Sequence, residues 1–205
     1  MIATDIEDHS LWDWPADARP DVSGALEDRH VGMQGPPKGA GFRLVSELIG
    51  SSVDWRAINV YDLDPDELGV YDVVVCGSLL LHLRDPVRAL EAVRGVTSPN
   101  GVFVSSEQIE LWTTLLGPRR PLFKLDGSGQ YCQWWLANAA GHWRMLYAAG
   151  FEITETSPFY MVRFNQHPRA SMTRATLARR VVARALTGAW DDGVLRRALA
   201  ARPRF

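Results

Sequence analysis

The 205-residue sequence is poor in cysteine, in lysine and in long apolar runs, and each shortage excludes something. Its two cysteines, Cys76 and Cys132, fit no metal or redox spacing. One sits in an apolar run and the other beside aromatics, the pattern of buried free thiols in a reducing cytoplasm. No apolar run approaches the roughly 18–20 residues of a membrane span. The first ten residues carry Asp5, Glu7 and Asp8 and lack the basic start of a signal peptide. Only Lys38 and Lys124 are lysines among the 22 basic residues, which we read as genome composition. Lys38 stands in "GPPKGAG", which lacks the spacing and the following Ser or Thr of a phosphate loop. There is no Tyr-x-x-x-Lys pair for hydride chemistry, and no internal repeat or heptad.

What is present is a globular composition, 46% apolar and 22% charged, in a chain long enough for a substantial core. The net charge of −2 conceals an asymmetry. Residues 1–72 hold 15 acidic and 5 basic side chains, and residues 73–205 hold 9 and 17. Nine arginines fall between Arg169 and Arg204. Such a tail can meet phosphates, as on RNA, but a solvated amphipathic helix is the reading we prefer.

Several elements are legible. Ile2–Ile6 reads as the end of a strand that delivers Asp5, and residues 15–41 are rich in Pro, Gly and charge, hence loop. "FRLVSELIG" brings Phe42, Leu44, Val45, Leu48 and Ile49 near one helical face, with Gly50 as stop. "WRAINVYDL" reads as a strand ending at Asp62. "YDVVVCG" has the apolar run of a strand buried on both faces of a parallel sheet. "DPVRALEAVRGV" is a helix with Asp85 as cap and Pro86 at its first position, turning Val87, Leu90 and Val93 inward. "VFVSSEQ" is a further strand, and residues 108–131 an irregular excursion. A helix from about Asn138 to Ala149 closes at Gly150, and "EITETSPFYMVRF" supplies one or two strands. Beyond Pro168 an Ala/Arg helix is expected, then a break at Gly188 and Gly193 and a shorter helix.

Alternating strands and helices with short connections predict a doubly wound, mostly parallel α/β sheet. Ligands of such sheets lie outside the carboxyl ends of the strands. Asp5, Asp62 and the Gly77–Ser78 pair all fall at predicted carboxyl ends, which points to a nucleotide-like ligand.

The segment "NVYDLDPDELGVYDVVVCGSLLLHLRDPVRALEAVRGVTSPNGVFVSSE" resembles the third-to-fifth-strand portion of class I S-adenosylmethionine-dependent methyltransferases, and "ATDI" resembles their second strand. "YCQWWLANAAGHWRMLYAAGF" is similar to the branch containing tRNA wobble-uridine carboxymethyltransferases, although Leu81 stands before His82 where that branch commonly has tyrosine. The resemblance covers residues 1–165 and implies a Rossmann-like fold using S-adenosylmethionine. It implies Asp5 and Ile6 at the ribose, Asp62 and Leu63 at the adenine, and Gly77 and Ser78 near the methionine end. His82 and Glu107 are candidate bases. Tyr131, Trp134, Trp135 and Asn138 are candidates for the acceptor pocket, although core packing is the commoner use of a tryptophan.

The family's first strand and glycine loop have no counterpart, so an N-terminally incomplete chain is expected. Its second and fourth strands would then stand about 9–10 Å apart, twice the normal spacing. We expect a methyltransferase-like domain over residues 1–168 and a helical extension over 169–205, in a cytoplasmic protein. The expected activity is methyl transfer to a small molecule, a nucleoside or tRNA. The alternative is a non-catalytic binding module completed by a partner, either a strand donor or a second copy of the chain.

Overall fold

A computed structural model describes residues 1–7, 11–16, 38–127, 132–163 and 193–204. Strand β1 (Ile2–Asp5) is followed by helix α1 (Lys38–Leu48), β2 (Asp54–Ala57), the short helix α2 (Pro65–Leu68) and β3 (Tyr71–Gly77). Helix α3 (Pro86–Gly95) leads into the long β4 (Thr97–Gln108), then α4 (Leu111–Leu116) and a small hairpin of β5 (Phe123–Leu125) and β6 (Trp135–Ala137). Helix α5 (Ala139–Ala148), β7 (Phe151–Thr156), β8 (Tyr160–Arg163) and β9 (Gly193–Pro203) complete the order. Single 3₁₀ turns lie at Val60–Asp62 and Leu80–His82.

The main sheet has the order β3-β4-β9-β7, with β8 also pairing β9. β3 and β4 are parallel, Val73 opposite Val102 and Gly77 opposite Ser106. β9 runs against both β4 and β7, so β3, β4 and β7 share one direction. β1 and β2 form a separate parallel pair, Ile2 opposite Asp54 and Asp5 opposite Ala57. Among the described residues no strand joins the two sheets, so β1 and β3 each keep an unpaired edge.

Helix α3 forms where its caps dictate: the Asp85 carboxylate accepts the Arg88 N–H at 3.0 Å, and Pro86 supplies a preset φ. Leu90 and Val93 turn inward as the pattern requires, with Ala89 beside them. Helix α5 is capped by Asn138, whose side-chain oxygen takes the Gly141 N–H at 2.7 Å, and Gly150 ends it at φ 87°. These two helices cover one face of the main sheet. Leu90, Val93, Met145 and Leu146 meet Phe103, Phe151, Leu199 and Ala201 there. The Phe103 and Phe151 rings lie 5.0 Å apart. Each large side chain fully removed from water in this layer contributes about 2–3 kcal/mol.

Three expectations are corrected. β3 is not buried on both faces: Val74 and Cys76 pack on the core, but Val73 and Val75 are 65% and 70% exposed. No described helix covers their side. The apolar residues of α1 are likewise open, Leu44, Val45, Leu48 and Ile49 all being exposed. α1 is held instead through Gly39, where a Cβ would come to 2.7 Å from the Trp55 ring. Lastly, residues 193–203 are a strand and not a helix, so they belong to the sheet and not to a helical extension beyond residue 168. Alanine, leucine and arginine favour a helix locally, but two strands with free edges offer a full ladder of backbone partners, and that wins. The helix expected just after Pro168 lies outside the described residues.

Candidate functional site

A cleft of about 440 Å³ opens between the two sheets, beyond the carboxyl ends of β1 and β3. One wall is Thr4, Asp5 and Ile6, and the facing wall is Val74 to Leu79. Ile58 to Tyr61 and Leu63 form a third side, and Leu11, Trp12, Asp13 and His82 border the mouth. Of the sequence candidates, the fold therefore gathers Asp5, Ile6, Leu63, Gly77, Ser78 and His82.

Asp5 ends β1, and its Oδ1 takes the N–H of Ile6 at 2.8 Å. Asp62 does not converge on it: that residue is exposed, in the 3₁₀ turn, and does not line the cleft. The turn at Val60–Asp62 is fixed by Asn59, whose side-chain oxygen accepts the Tyr61 N–H at 3.1 Å. The second carboxylate at the cleft is Asp13. Its Oδ2 accepts the Tyr61 hydroxyl at 2.6 Å and the Arg84 N–H at 2.7 Å. Burial, together with that bond to Asp13, pushes the Tyr61 hydroxyl well above the ordinary phenol range. Asp13 gives no signal in the sequence, because its hydrogen-bond partners lie 48 to 121 positions away.

The far side of the cleft is shaped by the turn after β3. Gly77 has room: a Cβ there would meet only Ser106, at 3.5 Å, an ordinary contact. Ser78 adopts φ 57°, in the left-handed region, and its N–H donates to Ser106 O at 3.0 Å. Its hydroxyl accepts from the Arg196 guanidinium. His82 donates Nδ1–H to the Cys132 carbonyl at 2.9 Å; a carbonyl only accepts, so Nε2 is the basic nitrogen.

The remaining candidates stand back from the cleft. Glu107 is only 4% exposed, beneath the turn, with Oε1 accepting the Leu79 and Leu80 N–H groups at 3.1 and 3.4 Å. Burial raises its carboxyl to about 7, against the lowering effect of those two amides and of Arg196. The same burial, with Glu107 nearby, holds the Cys76 thiol well above its usual range. Trp134 and Trp135 brace the cleft from behind. The Trp134 indole N–H donates to Asp13 O, and Trp135 Nε1–H donates to Arg84 O at 3.2 Å. Asn138 is fully buried and its amide is consumed in structure, donating to Arg120 O at 2.8 Å and accepting from Leu122 N at 3.1 Å. Tyr131 lies outside the described residues. Among the described residues no cluster of metal-ligating side chains occurs, and no helix is long and apolar enough to cross a membrane.

Residues 39–105, from α1 into β4, match the family described as a methyltransferase domain. A solved structure of a candidate methyltransferase from Bacillus halodurans C-125 superposes with a TM-score of 0.50 at 12% identity, over 100% of this chain and 83% of that one. The fold is the Rossmann-like methyltransferase fold. Among curated proteins, a ubiquinone biosynthesis O-methyltransferase from Bordetella pertussis is 40% identical over 58 residues, 28% of this chain and 24% of that protein. A protein of the same name from Pseudomonas paraeruginosa is 28% identical over 111 residues, 52% of this chain and 45% of its own length. The match thus spans a quarter to just under half of these curated relatives.

Proposed function

We propose that this chain is an S-adenosylmethionine-dependent methyltransferase acting on a small-molecule acceptor, with the cofactor held in the cleft between β1 and β3. The observation that carries the reading is the position of that cleft. It lies beyond the carboxyl ends of parallel strands, with the Asp5 carboxylate on one wall and the glycine-bearing turn of β3 opposite.

The residues present fit such a ligand. Asp5 suits two ribose hydroxyls, and Tyr61 and Leu63 give an apolar side for a base. The space at Gly77 and the Ser78 hydroxyl, which accepts from Arg196 and keeps its own proton to donate, suit a polar amino-acid end. Among the described residues no Lys or Arg lines the cleft, and Arg196 stands behind the Ser78 hydroxyl at that end. When bound, S-adenosylmethionine supplies an electrophilic methyl group on sulfur, open to in-line displacement. The chain's part is then to align the acceptor, exclude water and hold a proton acceptor near it. His82, which lines the cleft, is our candidate for that last task; Glu107 reaches the cleft only through the backbone of Leu79 and Leu80.

The relatives named above support a small acceptor, and a nucleoside or tRNA acceptor is the finer alternative. Calorimetric titration with S-adenosylhomocysteine tests the proposal: micromolar binding to the folded protein is expected, and absence of heat overturns it. RNA retention on filters that weakens with salt would replace the small acceptor by RNA.

A second reading, a non-catalytic module completed by a strand-donating partner or a second copy, draws support from the unpaired edges of β1 and β3 and the exposed Val73 and Val75. It requires a folded protein that gives no cofactor heat and sediments as a complex.

A further inference from the structure

We infer that Glu107 is a positioning residue. By accepting the N–H groups of Leu79 and Leu80, it holds the Gly77–Leu80 turn in the shape a ligand in the cleft requires. The inference rests on the cofactor reading and deepens it, because Ser78 and Leu79 of this turn are themselves cleft wall.

At Gly77 the chain leaves β3, and the next three amides are all taken by β4. Ser78 N–H goes to Ser106 O at 3.0 Å, while Leu79 and Leu80 N–H converge on one oxygen of the next residue, Glu107 Oε1. The left-handed φ of 57° at Ser78, costly for a residue with a side chain, points the following amides back under the sheet end. β9 adds a fourth tie, from Arg196 to the Ser78 hydroxyl. Oε2 of Glu107 is buried and has no hydrogen-bond partner among the described residues. Among the described residues, the hydrogen bonds of the carboxyl therefore all go to the turn, and what they contribute is the turn's shape.

The charged and titratable neighbours come from every side. Arg196 of β9 attracts the carboxylate, and Arg197 stands opposite it in register but is bonded to Ser157 O and Thr156 Oγ1. Cys76 of β3 remains a neutral thiol, and His142 of α5, bonded to Ser105 on the same strand, remains a neutral imidazole. His82, beyond the turn, is tied to Cys132 O. Of the groups on β3, β4 and α5 named here, the carboxyl is the one that changes charge near neutrality, as burial has raised it to about 7. An ionised oxygen is a stronger acceptor of amide protons than a neutral one, so the turn is held more tightly as pH rises from 6 to 8.

The test is made on the whole chain by nuclear magnetic resonance. Protection factors of the Leu79 and Leu80 amides, corrected for intrinsic exchange, are measured from pH 6 to 8 in wild type and Glu107→Gln. S-adenosylhomocysteine affinity is titrated in parallel. In wild type both protection and affinity are expected to rise several-fold across this range. In E107Q both should be flat and near the wild-type value at pH 6. Equal protection and an equal pH profile in the two proteins overturn the inference, even if the ligand binds. Wild-type protection that follows pH with no ligand heat at any pH overturns the cofactor reading and leaves the hold on the turn standing. Should E107Q not fold, the wild-type amide profile still tests the inference, since no rise in Leu79 and Leu80 protection between pH 6 and 8 overturns it.

Discussion

Asp5 and Gly77 face each other across the cleft, and each makes a separable prediction. Asp5→Asn keeps the shape and removes the charge behind a hydrogen bond to ribose. It should weaken S-adenosylhomocysteine binding about tenfold, or ~1.4 kcal/mol, without moving the melting temperature. Gly77→Ala should fold normally, since the new Cβ meets only Ser106 at 3.5 Å, whereas Gly77→Val should fold and still lose ligand affinity. Calorimetry beside thermal melts checks all three variants. At this scale the sequence points to part of the cleft's lining and not to the rest. Asp5, Gly77 and His82 were recognisable because strand ends and glycines announce themselves locally. Asp62 meets the same criterion but does not line the cleft, and Asp13 gives no local signal, because its place depends on Tyr61 and Arg84 folding onto it.

Elements with local punctuation were legible: α3 from Asp85 and Pro86, α5 from Asn138 and Gly150. β9 was not, because its residues individually prefer a helix and only its two neighbours make it a strand. Its weight in the core predicts a large effect for a small change. Leu199 is 2% exposed among Phe103, Leu146 and Phe151, so Leu199→Ala should cost about 2–5 kcal/mol in urea unfolding. Asn138→Ala should be comparably severe, since it removes a helix cap and strands several buried backbone groups at once. A loss under ~0.5 kcal/mol in either variant would contradict the packing described.

For the molecule as a whole, two buried groups set opposing responses to pH. Glu107 titrates near 7 when folded and near 4.5 when not, so its contribution is fully stabilising below 4.5 and is lost as pH rises to 7, about 3 kcal/mol in all. His142 is 1% exposed, with Nε2 on the Ser105 hydroxyl at 2.8 Å, and burial lowers it from 6.5 to about 3. Its contribution is present above 6.5 and is lost as pH falls to 3, about 5 kcal/mol. Between 4.5 and 6.5 the two slopes cancel, and below 4.5 only the histidine acts. Denaturant midpoints should therefore be level from about pH 4.5 to 6.5 and fall steeply in stronger acid. E107Q should replace the level stretch by a steady rise with pH; an unchanged profile would refute this assignment.

The place of β9 also bears on how the molecule is made. It lies between β4 and β7, yet it is translated after both. Those two strands run the same way and are linked through α5, so until β9 emerges they can zip directly to one another as an ordinary crossover unit. A nascent chain caught in that arrangement must reopen it before residues 193–203 can enter. Insertion of residues 193–203 between strands made earlier is thus the most non-local pairing step of this sheet.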